Sequence, residues 1–258
     1  MILRTMTTLL ILPLCLTAAK EKHPLPDTER KQMQAGFREA IGKYTQALKE
    51  SPKEVGLYSR RGDMHLFSGN FREAVKDFEK MIELDPSQDA PHWRLGIAYY
   101  YINNFKKGMD QFAKYHAYDN VDRENGVWKY FCQANLEGIP KAQGNMLPYT
   151  RFDRHPFPAV YDMLSGGKTT PEKILGDASA SKESKAAKTR RLFFAHLYIG
   201  MHHEVLGEKE KALHHCRLAT DNAFGRASKT YMWQVARIHY EQLAGGTFRV
   251  AGKKQKPE

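Results

Sequence analysis

Cysteine is almost missing from this chain: three among 258 residues, at positions 15, 132 and 216. That scarcity excludes a disulfide-dense secreted scaffold, and no C-x-x-C or H-E-x-x-H spacing offers a zinc site. Acidic residues are also in deficit, 29 against 40 lysines and arginines, for a formal charge of +11. The surplus favours anionic partners, namely acidic proteins, anionic cell-surface polymers or nucleic acid. Apolar runs are short as well. The one that stands out, Leu9 to Leu16, falls well below the length of a transmembrane helix. What is there, 41% hydrophobic and 27% charged residues, suits a soluble globular chain of one or two domains.

The beginning of the chain reads as a targeting segment. Arg4 precedes the apolar run, and Thr17, Ala18 and Ala19 follow it before the charge of Lys20. This is the layout of a signal peptide spanning 1–19, cleaved near Ala19, and it predicts a periplasmic or secreted protein. The competing reading is an uncleaved N-terminal anchor. Cys15 follows Leu14, where a lipidation signal needs a small residue, so lipidation is not expected.

One pattern is written four times. Phe37-Arg-Glu-Ala recurs as Phe71-Arg-Glu-Ala, as Phe105-Lys-Lys-Gly and, degenerately, as Ile139-Pro-Lys-Ala, each about 34 residues after the last. Behind Phe71, residues Ala74, Phe78 and Met81 mark one face of a helix. Pro52 and Pro86 stop the first two of these helices. A second helix precedes each unit, carrying Gly62 and Gly96, again 34 apart. Small residues at Gly62 and Ala74 predict close approach of the two helices within a unit, with Phe78 packing toward the next. Such units cannot bury their apolar faces alone, so they stack.

A 34-residue helix–turn–helix is the tetratricopeptide (TPR) period. The stretch GDMHLFSGNFREAVKDFEKMIELDP resembles that family at Gly62, Gly69, Phe71, Ala74, Phe78 and Pro86, and WRLGIAYYYINNF repeats its first half. The expected fold is therefore all-α. It is a TPR superhelix over 20–147, an irregular basic insertion over 148–190, and a last pair over 191–224. A capping helix over 225–244 and a flexible basic tail over 245–258 complete it. Within the insertion, short helices are expected near 159–164 and 171–175, then a flexible segment. In the last pair, Gly200, Gly207, Ala212 and Cys216 stand where Gly62, Gly69, Ala74 and Phe78 stand earlier.

The layout is similar to the NlpI-like family of bacterial periplasmic TPR lipoproteins, through the leading repeats, the irregular middle and the late pair LFFAHLYIGMHHEVLGEKEKALHHCRLATDNA. That resemblance implies a scaffold for envelope hydrolases or proteases. The missing lipidation signal departs from it. Chaperone-binding TPR families use lysine and asparagine at their clamp positions, which Ser59, Arg60 and Asp63 do not reproduce, so a carboxylate clamp is not expected.

No complete catalytic motif emerges. Gly167-Lys168-Thr169 resembles the end of a phosphate loop, but its first glycine is replaced by Asp162. His202-His203 and His214-His215 lie on the two helices of the last pair and can meet across it. A structural zinc site normally has four ligands, and with no C-x-x-C or H-E-x-x-H beside them these read as surface or packing histidines. Cys132 and Cys216 fall at apolar helix positions and read as buried thiols in preference to a disulfide. Glu39 and Glu73 are one repeat position written twice, not an acid–base pair. No enzyme, cofactor or metal is therefore expected.

What remains is a surface. By register, the first helix of each pair lines the concave side, which places Arg60, Phe67, Trp93, Arg94, Tyr100, Tyr101, Trp128 and Tyr198 there as partner-binding residues. Arginine and aromatics are the residue types that carry interface energy. The competing reading is that several of these aromatics pack against the middle segment instead. The expected function is a non-catalytic protein-binding scaffold. The alternative is a binder of an anionic envelope polymer through the basic segment 182–191 and the tail. No nucleic acid is expected as a partner, and a homodimer is left open.

Overall fold

The computed structural model describes residues 22–253. The expected signal peptide and the last five residues of the tail lie outside them. Among the described residues there are thirteen α-helices and no strand.

The first helix, α1 (Asp27–Glu50), starts behind Pro26 with Asp27 and Glu29 in its first turn, where carboxylates complement the helix dipole. It runs unbroken through the first copy of the repeat, so this copy contributes one long helix and not a hairpin. Helices α2 (Val55–Phe67) and α3 (Phe71–Leu84), then α4 (Trp93–Tyr101) and α5 (Phe105–Tyr118), form two antiparallel pairs. Asp85 and Pro86 close α3. His92 caps α4 by accepting from the Leu95 amide at 3.2 Å, and Asn104 caps α5 by accepting from the Lys107 amide. The next pair is α6 (Arg123–Glu137) and the six-residue α7 (Ile139–Gly144).

Within two pairs the 34-residue register becomes one repeated contact. A Cβ at Gly62 would stand 2.5 Å from the Phe78 ring, and one at Gly96 would stand 2.6 Å from that of Phe112. The last pair, α10 (Lys185–Leu206) and α11 (Lys209–Asp221), repeats it with Gly200 against Cys216 Sγ at 2.5 Å. Each glycine lets a bulkier partner sixteen positions on lie against the helix backbone. Phe78 also meets His92 of the next pair, with ring centroids 4.9 Å apart. The turn between paired helices takes a positive φ at Gly69, Asn103, Gly138 and Gly207. Glycine and asparagine enter that left-handed region most readily.

Between the early and late pairs lie α8 (Phe157–Leu164) and α9 (Pro171–Ala180), close to where short helices were expected. The flexible segment expected after them is instead helical from Lys185. Ser184 caps α10 by accepting from the Ala187 amide, and Arg191 pairs back to Glu183. After the short α12 (Ala223–Ser228), the chain closes with α13 (Tyr231–Ala244).

The end of the chain is not a solvated appendage. Arg249 is fully buried, its backbone N–H donates to Glu204 Oε1 at 2.7 Å, and its guanidinium donates to Asn103 Oδ1 at 3.1 Å. Ala251 and Gly252 donate backbone bonds to Val205 and Ala134. The described part of the tail, 245–253, is thus held by the repeats. No helix among the described residues is long and apolar enough to cross a membrane.

Candidate binding groove

The inner side of the stack is largely filled by the chain itself. Helix α13 and the tail lie across it, so the aromatic wall expected to be open is mostly core. Tyr100, Tyr101 and Tyr198 are fully buried, Trp128 and Phe67 nearly so. Each phenol finds an internal partner. Tyr100 donates to Glu204 Oε2 at 3.2 Å, Tyr101 meets His239 Nδ1 at 3.3 Å, and Tyr198 donates to Glu124 Oε1. Trp128 packs against Phe112 and Tyr100. These five residues do not form an open wall: Phe67, Tyr100 and Tyr101 lie against α13, Tyr198 lies against Trp128, Phe131 and Phe157, and Trp128 keeps one side on a cavity. Burial raises the hydroxyl pKa of Tyr100, Tyr101 and Tyr198 above the ordinary phenol value.

Three expected residues keep some exposure. Arg60 is exposed on α2, and Trp93 and Arg94 at the start of α4 are half-buried. Although Arg60 and Arg94 share a repeat position, their surroundings differ. Arg94 donates to Asp63 at 2.7 Å and to Ser59 Oγ at 2.9 Å, and lies over the Phe78 ring. Burial pushes the Asp63 carboxyl up to about 6 against the pull of Arg94.

Trp93, the residue before Arg94 on α4, contacts Tyr231 and lines a cavity that reaches α6. Tyr231, at the start of α13, wedges between Phe67 and Trp93, with ring centroids 4.9 and 4.7 Å away. Beyond it opens a cavity of about 210 Å³, walled by Trp93, Phe112, Trp128 and Met232, with Asp122, Glu124, Asn125 and Arg154 at its polar end. Arg154 binds Glu124 at 2.6 Å and Asp122 and Asp153 at 3.0 and 3.1 Å. Three carboxyl groups share one guanidinium. Burial, then the neighbouring Asp122, raises the Glu124 carboxyl to about 7, despite Arg154 and Tyr198.

Sequence reasoning missed Asp122, Glu124, Arg154, Tyr231 and Met232. Asp122 carries the ordinary signature of a helix cap, accepting from the Glu124 amide at 3.1 Å. Nothing local marks it as more. Arg154 comes from the proline-rich middle segment, thirty residues from its Glu124 partner, and only the fold joins them.

The other expected features resolve simply. His203 and His215 stack across α10 and α11 with ring centroids 5.5 Å apart, and His196 Nδ1 approaches His215 Nδ1 at 3.0 Å. Among the described residues no three histidine, cysteine, aspartate or glutamate side chains converge on a point that would hold a metal. Cys132 and Cys216 are buried free thiols. Asp162 accepts from the Thr169 amide at 2.9 Å, which folds 165–170 into a polar turn. Glu39 and Glu73 sit on outer helix surfaces, paired with Lys43 and Lys76.

The groove offers an apolar trough with charged ends and no nucleophile–base pair. No protein-family model matches the chain, and no curated protein matches it.

Proposed function

We propose that this chain is an exported, non-catalytic scaffold of the TPR type, which holds a polypeptide partner in the groove between α4, α6 and the start of α13. The observation that carries this reading is the cavity beside Trp93. Tryptophan and arginine, gathered in a partly exposed trough on a rigid helical stack, are the residue types on which interface energy concentrates. The repeated glycine-to-partner contacts at Gly62, Gly96 and Gly200 support the TPR assignment. Envelope hydrolases or processing proteases are the partner class the family resemblance suggests.

A photo-reactive residue in place of Arg94, compared with one in place of Lys76 on the outer face of α3, tests it. Adducts with protein should form from position 94 in the native envelope and not from position 76. Equal yields, or none from 94, would overturn the proposal. An anionic polymer remains the second reading. It is favoured by a separate cavity of about 330 Å³ between α1 and α13 that gathers Arg30, Lys31 and Arg38 beside Arg237, with Asp27 and Glu241. Binding of that kind falls steeply with salt.

A further inference from the structure

The cavity beside Trp93 has an electrostatic character opposite to that of the chain that carries it. The protein as a whole has a formal charge of +11. In the lining of this cavity, however, Asp122, which caps α6, and Glu124 face a single cation, Arg154, which is also paired with Asp153 of the middle segment behind it. Asp153 accepts from the Arg123 amide at 2.9 Å and from the Arg154 amide at 2.6 Å, and is itself buried. Glu124 is bonded to both Tyr198 and Arg154, so its position is fixed. The walls are aromatic: Trp93 from α4, Phe112 from α5 and Trp128 from α6. Trp128 is almost fully buried, with its ring in edge contact with Tyr198.

Surplus negative charge beside aromatic faces is the chemistry that attracts organic cations, since a desolvated cation gains from ring quadrupole and carboxylate together. We infer that this cavity receives a lysine or arginine side chain of the partner polypeptide, its cationic head against Asp122 and Glu124 and its methylene stem between Trp93 and Trp128. The inference rests on the scaffold reading above and deepens it by naming the chemistry of the bound segment. An anion is disfavoured because Arg154 is already committed to three carboxyl groups.

Binding has a pH signature. Glu124 in the empty cavity titrates near 7, with Asp122, Asp153, Arg154 and Tyr198 as the other titratable groups facing it. A bound cation stabilises its ionised form. Affinity should therefore weaken as the pH falls through about 7 and Glu124 takes up a proton.

The test uses the mature chain with four acetylated, amidated tripeptides of the form Gly-X-Gly, where X is arginine, lysine, citrulline or glutamate. Tryptophan fluorescence and the Trp93 and Trp128 indole resonances report binding. Arginine or lysine peptides should bind and shift both indoles. Citrulline should bind about tenfold more weakly, the scale of a partly desolvated cation–π contact. Asp122→Asn retains a cap acceptor for the Glu124 amide, and together with Glu124→Gln it should remove the preference for a cation over citrulline. Equal binding of citrulline, preferential binding of glutamate, or no binding of either basic peptide would overturn the inference. Crosslinks from position 94 without binding of basic peptides would defeat this inference alone. Binding of basic peptides without such crosslinks would defeat the scaffold reading and leave the cavity assignment standing.

Discussion

Gly62 lies directly under the ring of Phe78, so close that a single added carbon would stand 2.5 Å from it. Since Phe78 is fully buried, the ring has little room to retreat. Gly62→Ala should destabilise the fold by about 1–3 kcal/mol, the usual cost of overpacking. Gly96→Ala should behave alike against Phe112. In α1, Gly36 and Gly42 have nothing within 4 Å of an added Cβ. Alanine there should be neutral or stabilise by up to about 1 kcal/mol through helix propensity. Urea denaturation of the four variants checks the contrast, and a Gly62→Ala chain as stable as Gly42→Ala would refute the packing described.

Arg237 pins α13 to the early repeats. It is almost fully buried, pairs with Glu241 at 2.7 Å and Gln234 at 2.9 Å, and donates to the Phe67 carbonyl. Arg237→Ala strands three acceptors and should cost about 1.5–3 kcal/mol, the range for hydrogen bonds to a charged group. Hydrogen exchange should then quicken in α13 and at the end of α2 together. Faster exchange confined to α13 would contradict the coupling.

Stability should fall on acidification from pH 7 to 4.5. Burial lowers His92 from 6.5 to about 3, and lowers His196, His202 and His215 to about 4. Below pH 6.5 the unfolded chain takes up protons at these four rings that the folded chain refuses, so folding loses free energy as the pH drops toward 4. Asp63 and Glu124 act oppositely. Raised to about 6 and 7, they accept protons first in the folded chain and gain stability on acidification from 7 toward 4. Four rings outweigh two carboxyls, because each ring is displaced at least as far as either carboxyl. A melting temperature that rose on acidification would reverse this, and His196→Gln should flatten the decline.

The proposed export has its own test. The native protein should begin near Lys20 and fractionate outside the cytoplasm. N-terminal sequencing that recovers Met1 from a cytosolic fraction would overturn it.

The helical hairpins were legible in the sequence because their determinants are local and periodic. Phe71 and Phe105 start helices one period apart, and Gly200 meets Cys216 just as Gly62 meets Phe78. The closure of the inner face was not. An aromatic on the first helix of a pair has the same register whether a partner or the chain's own terminus covers it. Tyr101 became core through His239, 138 residues away, and Tyr100 through Glu204, 104 residues away. Arg249 in the tail looks like a solvated charge until Glu204 and Asn103 are placed around it. The groove was half legible. Trp93 and Arg94 were marked by register, whereas Arg154 and Tyr231 reach it only through the fold.

The return of α13 onto the early helices also governs how the chain can be made. An open array of repeats can fold from one end as it leaves the ribosome, because each unit needs only its neighbour. Here the first helices depend on the last to be synthesised: Glu29 pairs with Arg226 at 2.9 Å across 197 positions, and the Phe67 carbonyl waits for Arg237. Until α13 emerges, Tyr100 and Tyr101 lack the cover of His239, and a nascent chain presents part of their aromatic surface. Contacts this distant in sequence form late and slow folding. The export proposed above would gain from that delay, since a precursor that cannot close before its final helix appears stays loose enough to be threaded across a membrane.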